Sequence, residues 1–63
     1  MSTVNLSPNI ADPDDFYAEL LAAHEGLSKP DSDALNARLV LILANHIGDR
    51  AVLTAALAAA ARR

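Results

Sequence analysis

The side chains with the widest chemical reach are two histidines that repeat one local setting, Ala23-His24-Glu25-Gly26 and Asn45-His46-Ile47-Gly48. An imidazole just before such a glycine can act as a base, ligate a metal, or bond the last carbonyls of a helix, whose negative end favours its cation. Beyond the first residues of the chain, Ser28, Ser32 and Thr54 are the available hydroxyls, and Asp12, Asp14 and Asp15 form an acidic cluster. None of these groups falls into a pattern that catalysis requires. No hydroxyl stands in a Gly-x-Ser-x-Gly turn or at a suitable spacing from a histidine, and the acids lack the spacing and central glycine of a calcium loop. There is no His-Glu-x-x-His pair, and with Gly26 and Gly48 as the only glycines no loop can cradle a phosphate. The sequence therefore assigns no catalytic residue, no metal ligand and no cofactor, and describes a chain that is not an enzyme by itself.

Composition narrows the classes further. A chain of 63 residues is one domain at most, and at this size folding hides only about 60% of the unfolded surface, so stability alone is marginal. No cysteine is present to staple it. Phe16 and Tyr17 are the only aromatic residues and the net charge is −3, which leaves neither a stacking platform nor a basic surface for nucleic acid. Leu39 to Ala61 is apolar on average, but Asn45, His46, Asp49 and Arg50 sit in its middle, where a bilayer tolerates charge least. No membrane span is expected, no signal peptide is read at the N-terminus, and the expected compartment is the cytoplasm.

The groups named above must be positioned by helices. Asp12-Pro13-Asp14-Asp15 reads as a helix start, with an Asp N-cap, Pro at the first position and two carboxylates in the positive first turn. This first helix, about 13–25, carries Phe16, Tyr17, Leu20, Leu21 and Ala23 on one face and ends at Gly26 as the residue after the cap, with Leu27 placed for a Schellman contact. Ser28 and Asp31 form a capping box for a second helix, about 29–47, so the link is short and the two helices are expected as antiparallel neighbours. Gly48 closes helix two, and Asp49 caps a third, about 50–61, with an apolar face of Val52, Leu53, Ala56, Leu57, Ala59 and Ala60. Arg62 and Arg63 suit its negative end. The expectation is an all-α, three-helix domain over 12–63, preceded by an extended arm over 1–11 in which Val4 and Leu6 alternate with polar neighbours. On antiparallel helices His24 and His46 lie roughly 20 Å or more apart, so they cannot share one ion.

The stretch Leu35 to Gly48, LNARLVLILANHIG, is the centre of the arrangement. Its β-branched Val40 and Ile42 also fit a buried strand, but a run from Pro30 to Ile47 free of internal Gly or Pro favours a helix. On that helix Leu35, Leu39, Val40, Ile42, Leu43 and Ile47 fall within an arc of roughly 160°, the expected core face. Leu41 lies on the other side among Ala37, Arg38, Ala44 and Asn45. A protomer that buried the main arc would leave Leu41 wet, which makes it a residue for a partner. Asn45, His46, Val4 and Leu6 are the further candidates for partner contact.

Two resemblances bear on what that partner is. The segments NIADPDDFY (9–17), GLS (26–28), LNARL (35–39) and LANHIGD (43–49) resemble, across nearly the whole chain, a family of short uncharacterised bacterial proteins recorded as a domain of unknown function. Members of that family are often encoded beside flavin-dependent aromatic-ring monooxygenases, which implies a small companion of such an oxygenase. Gly26-Leu27-Ser28 and Asn45-His46-Ile47-Gly48 also resemble the layout of the small α subunits of extradiol aromatic-ring dioxygenases of the protocatechuate 4,5-cleaving type. The double-glycine turn typical there stands here as His46-Ile47-Gly48. Both resemblances imply a non-catalytic accessory subunit that docks on a larger oxygenase of aromatic-compound catabolism and stabilises or caps it. The alternative is a self-assembling helical homo-oligomer, paired through Leu41 and the alanine face of helix three across a two-fold axis.

Overall fold

The computed structural model describes residues 4–62, and in them the chain is three helices joined by tight links: α1 (Pro13–His24), α2 (Lys29–Ile47) and α3 (Arg50–Ala61). An arm without regular secondary structure runs from Val4 to Asp12. The expected all-α, three-helix class is what the molecule adopts. Met1 to Thr3, the first residues of the expected arm, and Arg63 lie outside the described residues.

Each helix begins on a different local device. At α2, the Ser28 side chain accepts the Asp31 N–H at 3.3 Å, with Ser28 extended at ψ 164°. At α3, one Asp49 carboxylate oxygen accepts the N–H groups of Ala51 and Val52, at 2.9 and 3.3 Å. At α1 the side chain of Asp12 makes no capping bond, contrary to expectation. Asp12 precedes a proline, which restricts its backbone, and its ψ of 71° departs from the extended setting of Ser28 that brings a side chain over the third N–H. Its carbonyl still accepts the Phe16 N–H at 3.0 Å, and Asp14 and Asp15 lie in the first turn, where the dipole favours them.

The helix ends also differ from each other. Gly48 takes φ 72° and its N–H reaches the Ala44 carbonyl at 2.9 Å, the left-handed cap that a residue without Cβ adopts cheaply. Gly26, expected in a Schellman motif, instead occupies the third position of a four-residue turn. Glu25 sits at φ −60°, ψ 131°, Gly26 at φ 78°, and the Leu27 N–H closes on the His24 carbonyl at 3.1 Å. This is the type II pattern, which demands positive φ at that third position. It turns the chain directly into the Ser28 cap.

Packing between the helices is sparse. No described residue is fully buried. Leu20 of α1 and Leu35 and Leu39 of α2 are half-buried, and together with Phe16, Glu19 and Ala23 they line one open cleft between the two helices. On α3 the half-buried face is Val52, Leu53, Ala55, Ala56 and Ala59. Leu57, expected on that face, is 72% exposed, and Ala60 is exposed as well. Leu57 follows Leu53 by one turn, but the face is centred on Val52, Ala56 and Ala59, and small alanines there set the contact.

The molecule is correspondingly open. A compact chain of 63 residues has a radius of gyration of about 10.6 Å, against 13.5 Å here, with extents of 42 × 26 × 25 Å. A compact protein of 6.6 kDa exposes about 3,900 Å², whereas this protomer exposes 5603 Å². The excess is about 1,700 Å².

Candidate docking surface

The second half of α2 is an uncovered apolar stretch. Val40, Leu41, Ile42 and Leu43 are 62, 70, 64 and 48% exposed, and Ile47 is also exposed. Successive helical residues turn by about 100°, so these four consecutive side chains point to all sides of the rod. The expectation that the main arc would be buried within the protomer, with Leu41 alone left wet, is therefore corrected. Only Leu35 and Leu39 of that arc are half-buried. The reason is length: α1 has 12 residues against 19 in α2, and the cleft it forms reaches only as far as Leu39.

The five residues expected to meet a partner fall into three places. Leu41 and Asn45, one turn apart, share a side of α2 and are both exposed. His46 is exposed too, but it projects about 140° further round the helix, beside the Ile42 side. Val4 is half-buried and Leu6 is 72% exposed, both on the arm ahead of α1. Sequence reasoning did not single out Ile10, Phe16, Tyr17 and Leu21 for contact, yet all four are exposed. The hint was the length mismatch between the first two helices, which already limited how much of either could be covered.

The two histidines, alike in sequence, are not alike in structure. His24 is half-buried and its Nδ1 shares a hydrogen bond with the Ser32 hydroxyl, joining the end of α1 to the first turn of α2. By sequence Ser32 has no histidine at a catalytic spacing. The type II turn brings the pair together across eight residues. A serine nucleophile needs donors for the developing oxyanion as well as a base, but the Ser32 N–H is spent on the Ser28 carbonyl at 2.9 Å. The pair works as a clasp between helices. Nearby, Lys29 pairs with Asp33 at 3.0 Å on the open surface of α2, a contact worth little in water.

The remaining chemistry is equally shallow. Asp12, Asp14 and Asp15 border an open hollow at the start of α1, and Ile10, Asp15, Phe16 and Glu19 border another beside it. Among the described residues no three metal-ligating side chains converge, and no helix is long and apolar enough to cross a membrane. A site that excludes water, which would strengthen electrostatic catalysis, is not formed by walls of this kind.

A family model described as "Protein of unknown function (DUF2783)" matches residues 4–62. The chain belongs to this family. The match takes in the arm from Val4 as well as all three helices, so the arm is part of the unit that defines the family. Neither the curated proteins nor the solved structures contain a match to the chain.

Proposed function

We propose that this protein is a non-catalytic accessory subunit that docks on a larger enzyme, a flavin-dependent or extradiol oxygenase of aromatic-compound catabolism, and stabilises it or caps its active-site entrance. The observation that carries the reading is the bare second half of α2, where large aliphatic side chains stand in water and no described residue is fully buried. Ile42, Leu43 and Ile47 fall within one arc of about 140°, and apolar surface gathered on one side in this way marks a site of protein contact. The choice of an oxygenase rests on the resemblance of the ANHIGD region, residues 44–49, and of the Gly26-Leu27-Ser28 turn.

Docking uses Ile42, Leu43 and Ile47 as apolar anchors, with Asn45 and His46 as polar contacts at the end of the helix and Leu6 and Ile10 extending the patch along the arm. Val4, at the start of the arm, is half-buried. An interface of standard size covers about 800 Å² on each partner, well within the exposed excess.

The test is co-expression with a flavin-dependent or extradiol aromatic-ring oxygenase from the same host, followed by size-exclusion chromatography with light scattering and calorimetric titration. A discrete heteromeric complex is expected, and Ile42→Glu is expected to weaken it by at least about tenfold while preserving helicity. Absence of any complex between the purified chain and that oxygenase, with both folded, overturns the proposal.

A further inference from the structure

Beyond the accessory role, two hollows beside α1 join into one groove. Phe16 and Glu19 border both the cleft that runs toward Leu20, Leu35 and Leu39 and the hollow that runs toward Asp12 and Asp15. One end of the groove is apolar, the other is acidic, and no lysine or arginine borders either. Among the described residues no base pairs with Asp12, Asp15 or Glu19. The complement of such a groove is a rod with one large aliphatic side chain and, toward the acidic end, a cation.

The chain itself carries that rod. On α3 the half-buried side is centred on Val52, Ala56 and Ala59, and the exposed Leu57 lies about 140° round the helix from Val52. Arg50, two turns before Leu57, shares its outward side and is exposed as well. Arg50 stands in the first turn of α3, where the helix dipole disfavours a cation, and no acid pairs with it among the described residues. From Arg50 to Ala61 the helix holds no acid. The spacings agree too. Arg50 lies about 10.5 Å along the axis from Leu57, and on α1 Asp15 and Asp12 lie about 7.5 Å and about 12 Å before Leu20. The protomer leaves its own groove open, so the rod that fits it belongs to a second copy.

We infer that two copies associate by seating α3 of each in the groove of the other, with Leu57 against the partner's Phe16 and the partner's Leu20, and Arg50 beside the partner's Asp15. The exchange is reciprocal, which closes the assembly at two. One leucine and one cluster of charges make a contact of the transient class, which buries less than about 1,200 Å² in total, well inside the exposed excess of about 1,700 Å² per protomer. The copies are accordingly separate at micromolar concentration and paired toward millimolar. Ile42, Leu43 and Ile47 stay open for the enzyme, so the pairing and the accessory role fail separately.

Sedimentation equilibrium from micromolar to millimolar concentration should pass from the 6.6 kDa protomer mass to twice that value, and added salt should move the transition to higher concentration. Leu57→Glu should weaken the pairing at least about tenfold, and Arg50→Glu about threefold or more. Helical circular dichroism should be retained in both, because both side chains are exposed and a glutamate in the first turn suits the dipole. Adding Asp15→Arg to Arg50→Glu should restore the pairing. The chain has no native cysteine, so oxidation of a mixture of Leu57→Cys and Glu19→Cys should join the two variants by a disulfide. A monomer up to millimolar concentration, an assembly that grows beyond two copies, pairing untouched by either glutamate, or mixed thiols that do not join each overturns the inference. Oxygenase binding by a chain that stays monomeric sinks the pairing alone, and a dimer that binds no oxygenase sinks the accessory role alone.

Discussion

Removing the cap of α3 tests how this helix is held. Of its 12 residues seven are alanine, so backbone propensity is high, but a helix of this length is marginal in water without help. Tertiary help is limited, because no residue of α3 is buried. The Asp49 carboxylate satisfies two of the first N–H groups, those of Ala51 and Val52. Replacing such a cap by alanine costs about 1 kcal/mol, close to a fivefold change in the helix equilibrium. A helix favoured about tenfold would fall from about 90% to about 65% formed. The assay is the Cα chemical shift of residues 51–61 by nuclear magnetic resonance in Asp49→Ala, with Asp49→Asn as the control that keeps an accepting oxygen. The helical shifts should move part-way to coil values in the alanine variant and stay near native in the asparagine one. Unchanged shifts in Asp49→Ala would show that packing against the rest of the chain holds α3, and the argument from its thin contacts would be wrong.

Two further outcomes follow from exposure and backbone geometry. Leu39→Ala, in the half-buried cleft, should cost about 1 to 2 kcal/mol in urea unfolding, less than a fully buried leucine, while Leu57→Ala at 72% exposure should stay within about 0.5 kcal/mol. A loss at Leu39 as small as that expected at Leu57 would mean that the cleft between α1 and α2 contributes nothing. Gly48→Ala forces a side chain into φ 72° and should cost about 1 to 2 kcal/mol in thermal unfolding, with Gly48→Asn costing less. A neutral Gly48→Ala would show that the end of α2 can adopt another cap.

Much of the local structure was legible in the chain because each signal acts over one turn. Ser28 and Asp49 cap as their chemistry dictates, Gly48 supplies the left-handed stop, and an uninterrupted run from Pro30 to Ile47 makes a helix. Even the misreadings at Asp12 and Gly26 were local: the elements existed, but backbone angles beside a proline and a tight turn selected different hydrogen bonds. Periodicity showed which side chains share a face. It could not show how far α1 would reach along α2, because coverage depends on helix lengths and on where the links release the chain.

Tertiary structure alone decided which of two matching histidines is engaged. His24 meets Ser32 because the turn after α1 folds α2 back beside it, while His46 stands exposed at the end of α2, where the Gly48 cap leads into α3. It also decided that Leu41 is one of several bare aliphatic side chains instead of the single one. Sequence determines the helices and their faces through nearest-neighbour chemistry; exposure is a property of what stands opposite, and only the assembled chain contains that.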